Sequence, residues 1–338
     1  MIKPFSTTGI GSMPHSAPFK ACELIISSFD IPFWPQLPKY SSKELMIPQF
    51  SEGLPCIVVE GDKFYLKKND ELITEWLTNY SEQKESPISK DFASGIYKMR
   101  EILETKKVEI FKGQITGPLT FNLSLKDEEG KPVYFDETLR ELILMHLKAK
   151  AKWQFNFLRT FSESVIIFID EPILQALGTS AYISVEQAEV IRLIEELASY
   201  IKNLGAKVGL HCCGRADWRE ILNLSIDILS FDAYFFFDFF KIYKQEINNF
   251  LTKGGYIAWG FVPTTDDLRE LDDEKIITTA LLKIEEIGKE IPLIYQKSLL
   301  TPSCGMGSLD EKDSLRVCSI LKSLKSRFLN DRGNFYIL

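Results

Sequence analysis

An α/β chain folded as a (β/α)8 TIM barrel, with hairpin and helical insertions after its second and third strands, is what three features of this 338-residue sequence predict. Eight short apolar or β-prone segments recur along it, and each ends in a polar, Gly or Pro cluster. Helical patterns lie between most of them, as parallel strands require, since each crossover needs about a dozen residues or more and both faces of the sheet must be covered. No G-x-G-x-x-G follows any of the segments, which argues against a doubly wound dinucleotide fold.

In chain order, the first strand is STTGIGSMP at 6 to 14, which runs into a Gly-Ser turn. The second is IPFWPQLP at 31 to 38, stiffened at its exit by Pro35 and Pro38, with Trp34, Gln36 and the later Gln49 placed toward the mouth. An insertion over 55–107 follows; it opens with a hairpin, CIVVEGDKFYLK, turning at Gly61-Asp62, and continues in helical material. The third strand, VEIFKGQITGP at 108 to 118, leads into a second hairpin, NLSLKDEEGKPVYFD, that turns near Glu129-Gly130. A helix near 136–160 precedes the fourth strand, VIIFIDEP at 165 to 172. The next helix, 184–204, is well marked: Ser184 and Gln187 make a capping box, Val190, Ile191, Leu193, Ile194, Leu197 and Ile201 form its apolar face, and Gly205 ends it in the left-handed region. Strands five to eight are KVGLHCCG at 207 to 214, DILSFDAY at 227 to 234, GYIAWGFVPT at 255 to 264 and SLLTPSCG at 298 to 305, with helices near 272–288 and 309–326. Residues 1–338 read as a single domain, and both insertions leave from C-terminal strand ends, where they shape or cover the mouth.

With 45% hydrophobic and 26% charged residues, the chain buries a large core without disulfide or metal staples. Forty Lys plus Arg against forty-seven Asp plus Glu give a charge of −7, and no basic tract interrupts it, so nucleic acid is not an expected partner. The N-terminal MIKPFSTTGIGSMPHS lacks the apolar core of a signal peptide and no stretch is long enough to span a bilayer, so a cytoplasmic protein without a membrane partner is expected. The sequence does not fix the oligomeric state. Cys22, Cys56 and Cys318 read as small buried hydrophobes, whereas Cys212, Cys213 and Cys304 stand in surroundings that ask for more.

His211 and Cys213 are two apart, hence on one side of an extended segment; Asp232 ends the next strand and Cys304 the eighth. Strand tips that are distant in sequence thus bring one imidazole, two thiolates and one carboxylate to a common mouth, the donor mixture that zinc binds tetrahedrally. Read alone, H-x-C is equally a strand-end histidine beside volume-filling cysteines; Cys304 in TPSCGMG, a second strand ending in Cys with glycines behind it, favours the metal. Cys212 faces the other way and packs, unless the strand end lies one residue off, which exchanges the two roles. A zinc held by two thiolates is electron-rich and suited to holding a third thiol as thiolate, which favours alkyl transfer onto a thiol over hydrolysis. Asp170 and Glu171 are the catalytic candidates. A carboxylate at the end of VIIFI is costly unless something pairs with it, while Glu171 either caps the following helix or supports the site from behind. YFFFDFF at 234 to 240 walls a pocket for a large planar partner or packs; His15 is a proton carrier or a loop residue; His146 is structural, and KNDELITEW is a solvated helix face.

TTGIGSMPHS, KGQITGPLTF, FIDEP, HCCG and TPSCGMG together resemble the C-terminal catalytic barrel of cobalamin-independent methionine synthase, in the superfamily that also holds uroporphyrinogen decarboxylase and the corrinoid-dependent zinc methyltransferases. The resemblance covers almost the whole chain and is best with the short, single-barrel members. It implies zinc on His211, Cys213, Asp232 and Cys304, with Asp where the family has Glu and so a shorter reach to the metal. It implies a homocysteine site in which the backbone of Ile10, Gly11 and Ser12 receives the carboxylate and Asp170 the ammonium, with Gln49 alongside. Three departures concern the methyl donor. The family tryptophan that holds the folate ring beyond the TGP turn is missing from TGPLTFNLSLK, which offers Phe121, Asn122 and Ser124. The histidine that protonates the departing folate nitrogen is replaced around Pro263 and Thr264, and an acidic residue before Tyr-Phe gives way to Pro48 and Gln49 in MIPQF. A folate amine leaves poorly unless protonated, so the expected donor is methylcobalamin or a methylated corrinoid protein, with homocysteine the acceptor.

Three other functions fit the same outline less well. Folate-dependent methionine synthesis needs the missing acid. A uroporphyrinogen-decarboxylase-like enzyme needs cationic groups for the tetrapyrrole carboxylates, and only Lys3 precedes the Gly-Ser turn. A non-catalytic barrel that binds metal or a corrinoid protein would bind metal and thiol but release no methylated product.

Overall fold

The computed structural model describes residues 2–60, 63–81, 83–105 and 107–330. Its strands among these are β1 (Ser6–Thr7), β2 (Ile57–Glu60), β3 (Lys63–Leu66), β4 (Val108–Thr116), β5 (Ser162–Asp170), β6 (Lys207–Cys212), β7 (Ile228–Phe231), β8 (Tyr256–Val262) and β9 (Ser298–Pro302). Seven of them form one sheet in the order β1-β9-β8-β7-β6-β5-β4, every neighbour parallel. The second candidate strand, 31–38, forms no regular strand. Pro32 and Pro35 have no N–H to donate to a ladder, yet the segment lies between the two sheet edges. On one side Ile31 N donates to Thr7 O (3.0 Å) and Gln36 N to Gly11 O (3.1 Å); on the other Lys112 N donates to Pro32 O (2.9 Å) and Trp34 N to Lys112 O (3.4 Å). The sheet is therefore curled, with both edges meeting one segment.

Period-two alternation sorts each strand into two faces. Val165, Ile167 and Ile169 of β5, Val208, Leu210 and Cys212 of β6, and Ile257 and Trp259 of β8 join the large core between sheet and helices. The alternate residues Ile166, Phe168, Ile228, Tyr256, Ala258 and Leu299 form a separate apolar cluster inside the curl. Along several of these inner faces the character changes toward the C-terminal end: Ile166-Phe168-Asp170, Ile228-Ser230-Asp232 and Ile110-Lys112-Gln114-Thr116 all run from apolar floor to polar rim.

The helices expected near 136–160, 272–288 and 309–326 are Glu137–Arg159, Asp273–Gly288 and Glu311–Asn330. The well-marked helix is Gln187–Asn203, starting later than the sequence suggests: Glu186 is its N-cap, because Val185 is drawn into a turn on Tyr182 (3.0 Å) and takes Ser184 out of capping position. Gly205 follows at φ 97°, where a side chain would strain the backbone. In the 55–107 segment β2 and β3 pair antiparallel, Ile57 opposite Leu66, and the turn assigned to Gly61-Asp62 lies outside the described residues; helices Asp70–Thr78 and Ser94–Leu103 follow. The second hairpin is shorter than the sequence suggests: Asn122 and Ser124 belong to a short helix, Pro118–Ser124, and around the turn at Gly130 Lys126 bridges Pro132, with Val133 N donating to Leu125 O (3.1 Å) and Asp127 N to Lys131 O (2.9 Å). Pro118 at the first helical position starts that helix, and a carboxylate from the neighbouring strand holds its end, as described below. Among the described residues no helix is long and apolar enough to cross a membrane.

Candidate metal centre

Three of the four expected ligands converge. The ligand atoms of His211, Cys213 and Cys304 all lie within 4.8 Å of one another, a spacing that one ion accommodates with Zn–S near about 2.3 Å and Zn–N near about 2.0 Å. His211 sits on β6 beside Asp170 of β5 and Ser230 of β7, and its Nδ1 is 3.0 Å from Ser230 Oγ. That contact fixes the ring and leaves Nε2 for a ligand, the usual orienting bond of a metal histidine. Nε2 is buried and meets no oxygen or nitrogen partner among the described residues; what it faces is the Cys304 thiol. The Cys213 and Cys304 thiols hydrogen-bond each other, which holds Cys213 below the usual thiol range and, with burial, pushes Cys304 well above it. Two thiols in contact with each other, one of them also against the buried His211 ring, are the soft donor set that zinc binds, so the residues fit zinc.

Cys212 is fully buried on the opposite face, in the sheet–helix core, and burial raises its thiol to about 12. Asp232 stands outside the converging trio. Its carboxylate caps helix Ala233–Phe240, accepting from Phe235 N at 2.9 Å, and burial raises it to about 6. The helix begins one residue after Asp232, so its short side chain meets the N–H groups of the first turn before it can reach further. With Asp232 so engaged, the residues that converge are three, and they would offer a metal ion two sulfurs and one nitrogen.

The trio opens on a cavity of about 440 Å³ that Ile10, Ser12, Gln36 and Asp170 also line, with Leu45, Met46 and Pro172 as its apolar wall. Asp170 is buried and its Oδ1 has no partner among the described residues; burial raises it to about 6, against the pull of Lys112 and His211. The Ile10–Gly11–Ser12 turn sends its carbonyls into structure: Gly11 O accepts from Gln36 N (3.1 Å) and Ser12 O from Met306 N (2.9 Å), while Ser12 Oγ accepts from Gly307 N (3.1 Å). Among the described residues none accepts from the Gly11 or Ser12 N–H.

Glu171 is not in the cavity. Fully buried, its two oxygens accept from Leu119 N (2.8 Å) and Thr120 N (2.7 Å), so it caps the helix that follows β4 instead of the one after its own strand. Burial raises it to about 7 against those bonds. Gly117 is required by this arrangement, since a Cβ there would stand 2.2 Å from the Glu171 carboxyl carbon. Gln49 lies behind the wall: Gln36 Nε2 donates to its Oε1 (2.7 Å) and its Nε2 donates to Phe92 O (2.6 Å). Close by, Glu44 accepts from Leu37 N (2.8 Å) and Ser94 N (2.9 Å). Trp34 turns outward and donates to Gln154 Oε1 at 2.9 Å. The aromatic run packs: Phe240 lies 4.2 Å from Phe231, while Phe235 is exposed. His15 is buried, and burial lowers its pKa; His146 is a fully buried helix residue 2.9 Å from Phe50 O.

Two residues of the site escaped sequence reasoning. Ser230 orients His211, and Lys112, fully buried at the inner face of β4, donates from Nζ to Ile10 O. Both could have been found by reading the inner faces separately, since each is the first polar residue where an apolar floor gives way to a polar rim.

No protein-family model matches the chain, and no curated protein matches it by sequence. Solved structures do. A B12-independent methionine synthase from Shewanella sp. W3-18-1, in complex with selenomethionine, superposes with a TM-score of 0.61 at 15% identity, over 99% of this chain and 100% of that one. A methyltransferase from Methanosarcina mazei gives 0.56 at 14% identity, over 97% and 95%. The likeness runs nearly end to end and is one of fold.

Proposed function

We propose that the chain is a zinc-dependent methyltransferase that moves a methyl group onto the thiol of homocysteine to give methionine, in a (β/α)8 barrel whose eighth stave is the segment 31–36. The observation that carries this is the convergence of two thiols and a buried imidazole beside a carboxylate oxygen without a partner among the described residues, all in one cavity. Two similar structures are a methionine synthase and a methyltransferase, which supports the class. Zinc on His211, Cys213 and Cys304 would supply a position that holds a substrate thiol as its thiolate. Asp170 receives the ammonium, the N–H groups of Gly11 and Ser12 receive the carboxylate, and Leu45, Met46 and Pro172 face the carbon chain. Held at both ends, the sulfur is positioned to form its bond to the methyl carbon in line as the bond to the donor breaks and its electron pair leaves with the donor.

The chain's own groups favour a corrinoid donor. Phe121 and Asn122, where the resemblance expects a stacking surface, are fully buried in the Pro118–Ser124 helix. Where it expects an acid, Thr264 is bonded to Ser303 by both its N–H and its hydroxyl (3.2 Å each). A folate nitrogen would find no proton there, whereas a corrinoid leaves as a stable reduced cofactor. Zinc-loaded protein with homocysteine should form methionine from methylcobalamin or a methylated corrinoid protein and little from methyltetrahydrofolate. Robust turnover of the folate would overturn the donor, and no product from either would overturn the reaction.

Asp170 also gives the site a pH signature. Its value is raised to about 6, so the carboxylate that pairs with an ammonium is lost below that pH, nearer neutrality than for an ordinary aspartate. The affinity of homocysteine relative to 4-mercaptobutanoate, which lacks the amine, should fall as pH drops through about 6; the ratio cancels thiol and metal protonation. In Asp170→Asn the ratio should be low and flat. A ratio that changes with pH in the variant as it does in the parent would remove Asp170 from the amine site.

A further inference from the structure

We propose that Lys112 sets the specificity of the cavity for a thiol that bears a carboxylate, acting as a positioning residue through the Ile10–Gly11 peptide. The inference rests on the reading of the cavity as an amino-acid thiol site. Lys112 lies on β4 opposite Ile166, four residues below Thr116, which pairs with Asp170 at the rim, so its side chain sits beneath the cavity. Its backbone is clamped by Pro32 O and Trp34 N on one side and β5 on the other. The ammonium lies 4.5 Å from the Phe168 ring centroid and 5.7 Å from that of Phe33, and donates to Ile10 O.

A full charge among rings is expensive to bury, and it persists here because the rings, the carbonyl and the nearby Asp170 carboxylate share it. The bond to Ile10 O has a directional consequence. In a trans peptide the C=O and the following N–H point opposite ways; with Ile10 O pulled down onto Lys112, Gly11 N–H points up, toward the cavity that Ile10 and Ser12 line. A cation on the carbonyl oxygen also polarises the peptide and strengthens its N–H as a donor. Lys112 never touches the substrate, yet its charge is presented there through one peptide unit, opposite in sign to Asp170. The cavity floor thereby carries a positive end and a negative end, the complement of a zwitterion.

The test measures calorimetric binding to zinc-loaded protein of three thiols: homocysteine, 4-mercaptobutanoate, which lacks the amine, and 3-aminopropane-1-thiol, which lacks the carboxylate. In Lys112→Met, homocysteine and 4-mercaptobutanoate should each weaken about tenfold or more, while the aminothiol stays within about twofold and zinc content is unchanged. If Lys112→Met does not fold, Lys112→Gln, which keeps a donor for Ile10 O without the charge, carries the same comparison. Equal weakening of all three thiols, or loss confined to the aminothiol, would overturn the assignment while leaving the thiol site standing. Failure of the unmodified protein to bind any of the three would overturn the thiol site and this inference with it.

Discussion

Cys213→Ser and Cys304→Ser should each strip most of the zinc and nearly all methyl transfer, whereas Cys212→Ser keeps both. The contrast follows from alternation on one strand end. Cys213 faces the cavity with its thiol against Cys304, while Cys212, its chain neighbour, is sealed in the sheet–helix core. A serine hydroxyl is harder than a thiolate and stays protonated at neutral pH, so replacing either soft donor leaves two ligands for an ion that wants at least three. Loss of affinity by about a hundredfold or more is expected, since changing residues that merely orient ligands already costs about 10- to 100-fold. Metal content per chain, measured after purification without chelator, checks it. A Cys212→Ser protein that loses metal while Cys213→Ser keeps it would sink the ligand list, and equal content in all three variants would sink the site.

Glu171→Ala should cost the fold more than any other single change at the strand ends. It orphans two buried backbone donors, Leu119 N and Thr120 N, and leaves a void where the carboxylate packs against Gly117. Each buried donor left without a partner costs about 1–3 kcal/mol, and relief of the carboxylate's own desolvation returns part of it. A net loss of about 3 kcal/mol is expected, a fall in Tm on the order of 4 °C for a chain of this length. Glu171→Gln keeps one acceptor and should fall between. Since Glu171 is raised to about 7 in the fold, above its unfolded value, its contribution is complete at low pH and declines as pH rises toward 7, so the gap between Glu171→Gln and the parent should narrow over that range. Variants that melt with the parent at every pH would show that Glu171 does not hold the helix.

What the sequence made legible was local or periodic. H-x-C spacing put His211 and Cys213 on one face, and the cost of a carboxylate after VIIFI marked Asp170. Both arguments use only the two-residue period of a strand. The converging Cys304 needed the further premise that strand ends meet, which the eight-unit pattern supplied. Asp232 also ends a strand, and the resemblance implies a metal role for it; whether such a residue reaches a metal or a helix N-terminus depends on how soon the next helix starts, and that is set by the turn. Glu171 was less readable still, since it caps a helix belonging to the neighbouring unit, Pro118–Ser124, a contact that exists only once β4 and β5 lie side by side. The irregularity of 31–38 could have been foreseen from Pro32 and Pro35, since a strand flanked on both sides needs donors on both.

The buried polar chain behind the cavity wall bears on where this protein can be cut and recombined. Gln36 faces the cavity, Gln49 holds Gln36, Phe92 O holds Gln49, and Glu44 ties Leu37 to Ser94. The excursion between the sheet edge and β4 is therefore not a module that starts where the chain visibly leaves the wall near Cys56. Its inheritable unit starts at Gln36. A chimera joined at residue 55 would keep Gln36, Glu44 and Gln49 but replace the segment that supplies Phe92 O and Ser94, so the relay would lose its far anchors and the pocket would change shape although no pocket residue had been replaced. Joined before Gln36, the whole relay travels together, and positions 36, 44, 49 and 94 should drift as a set in any laboratory evolution of this pocket.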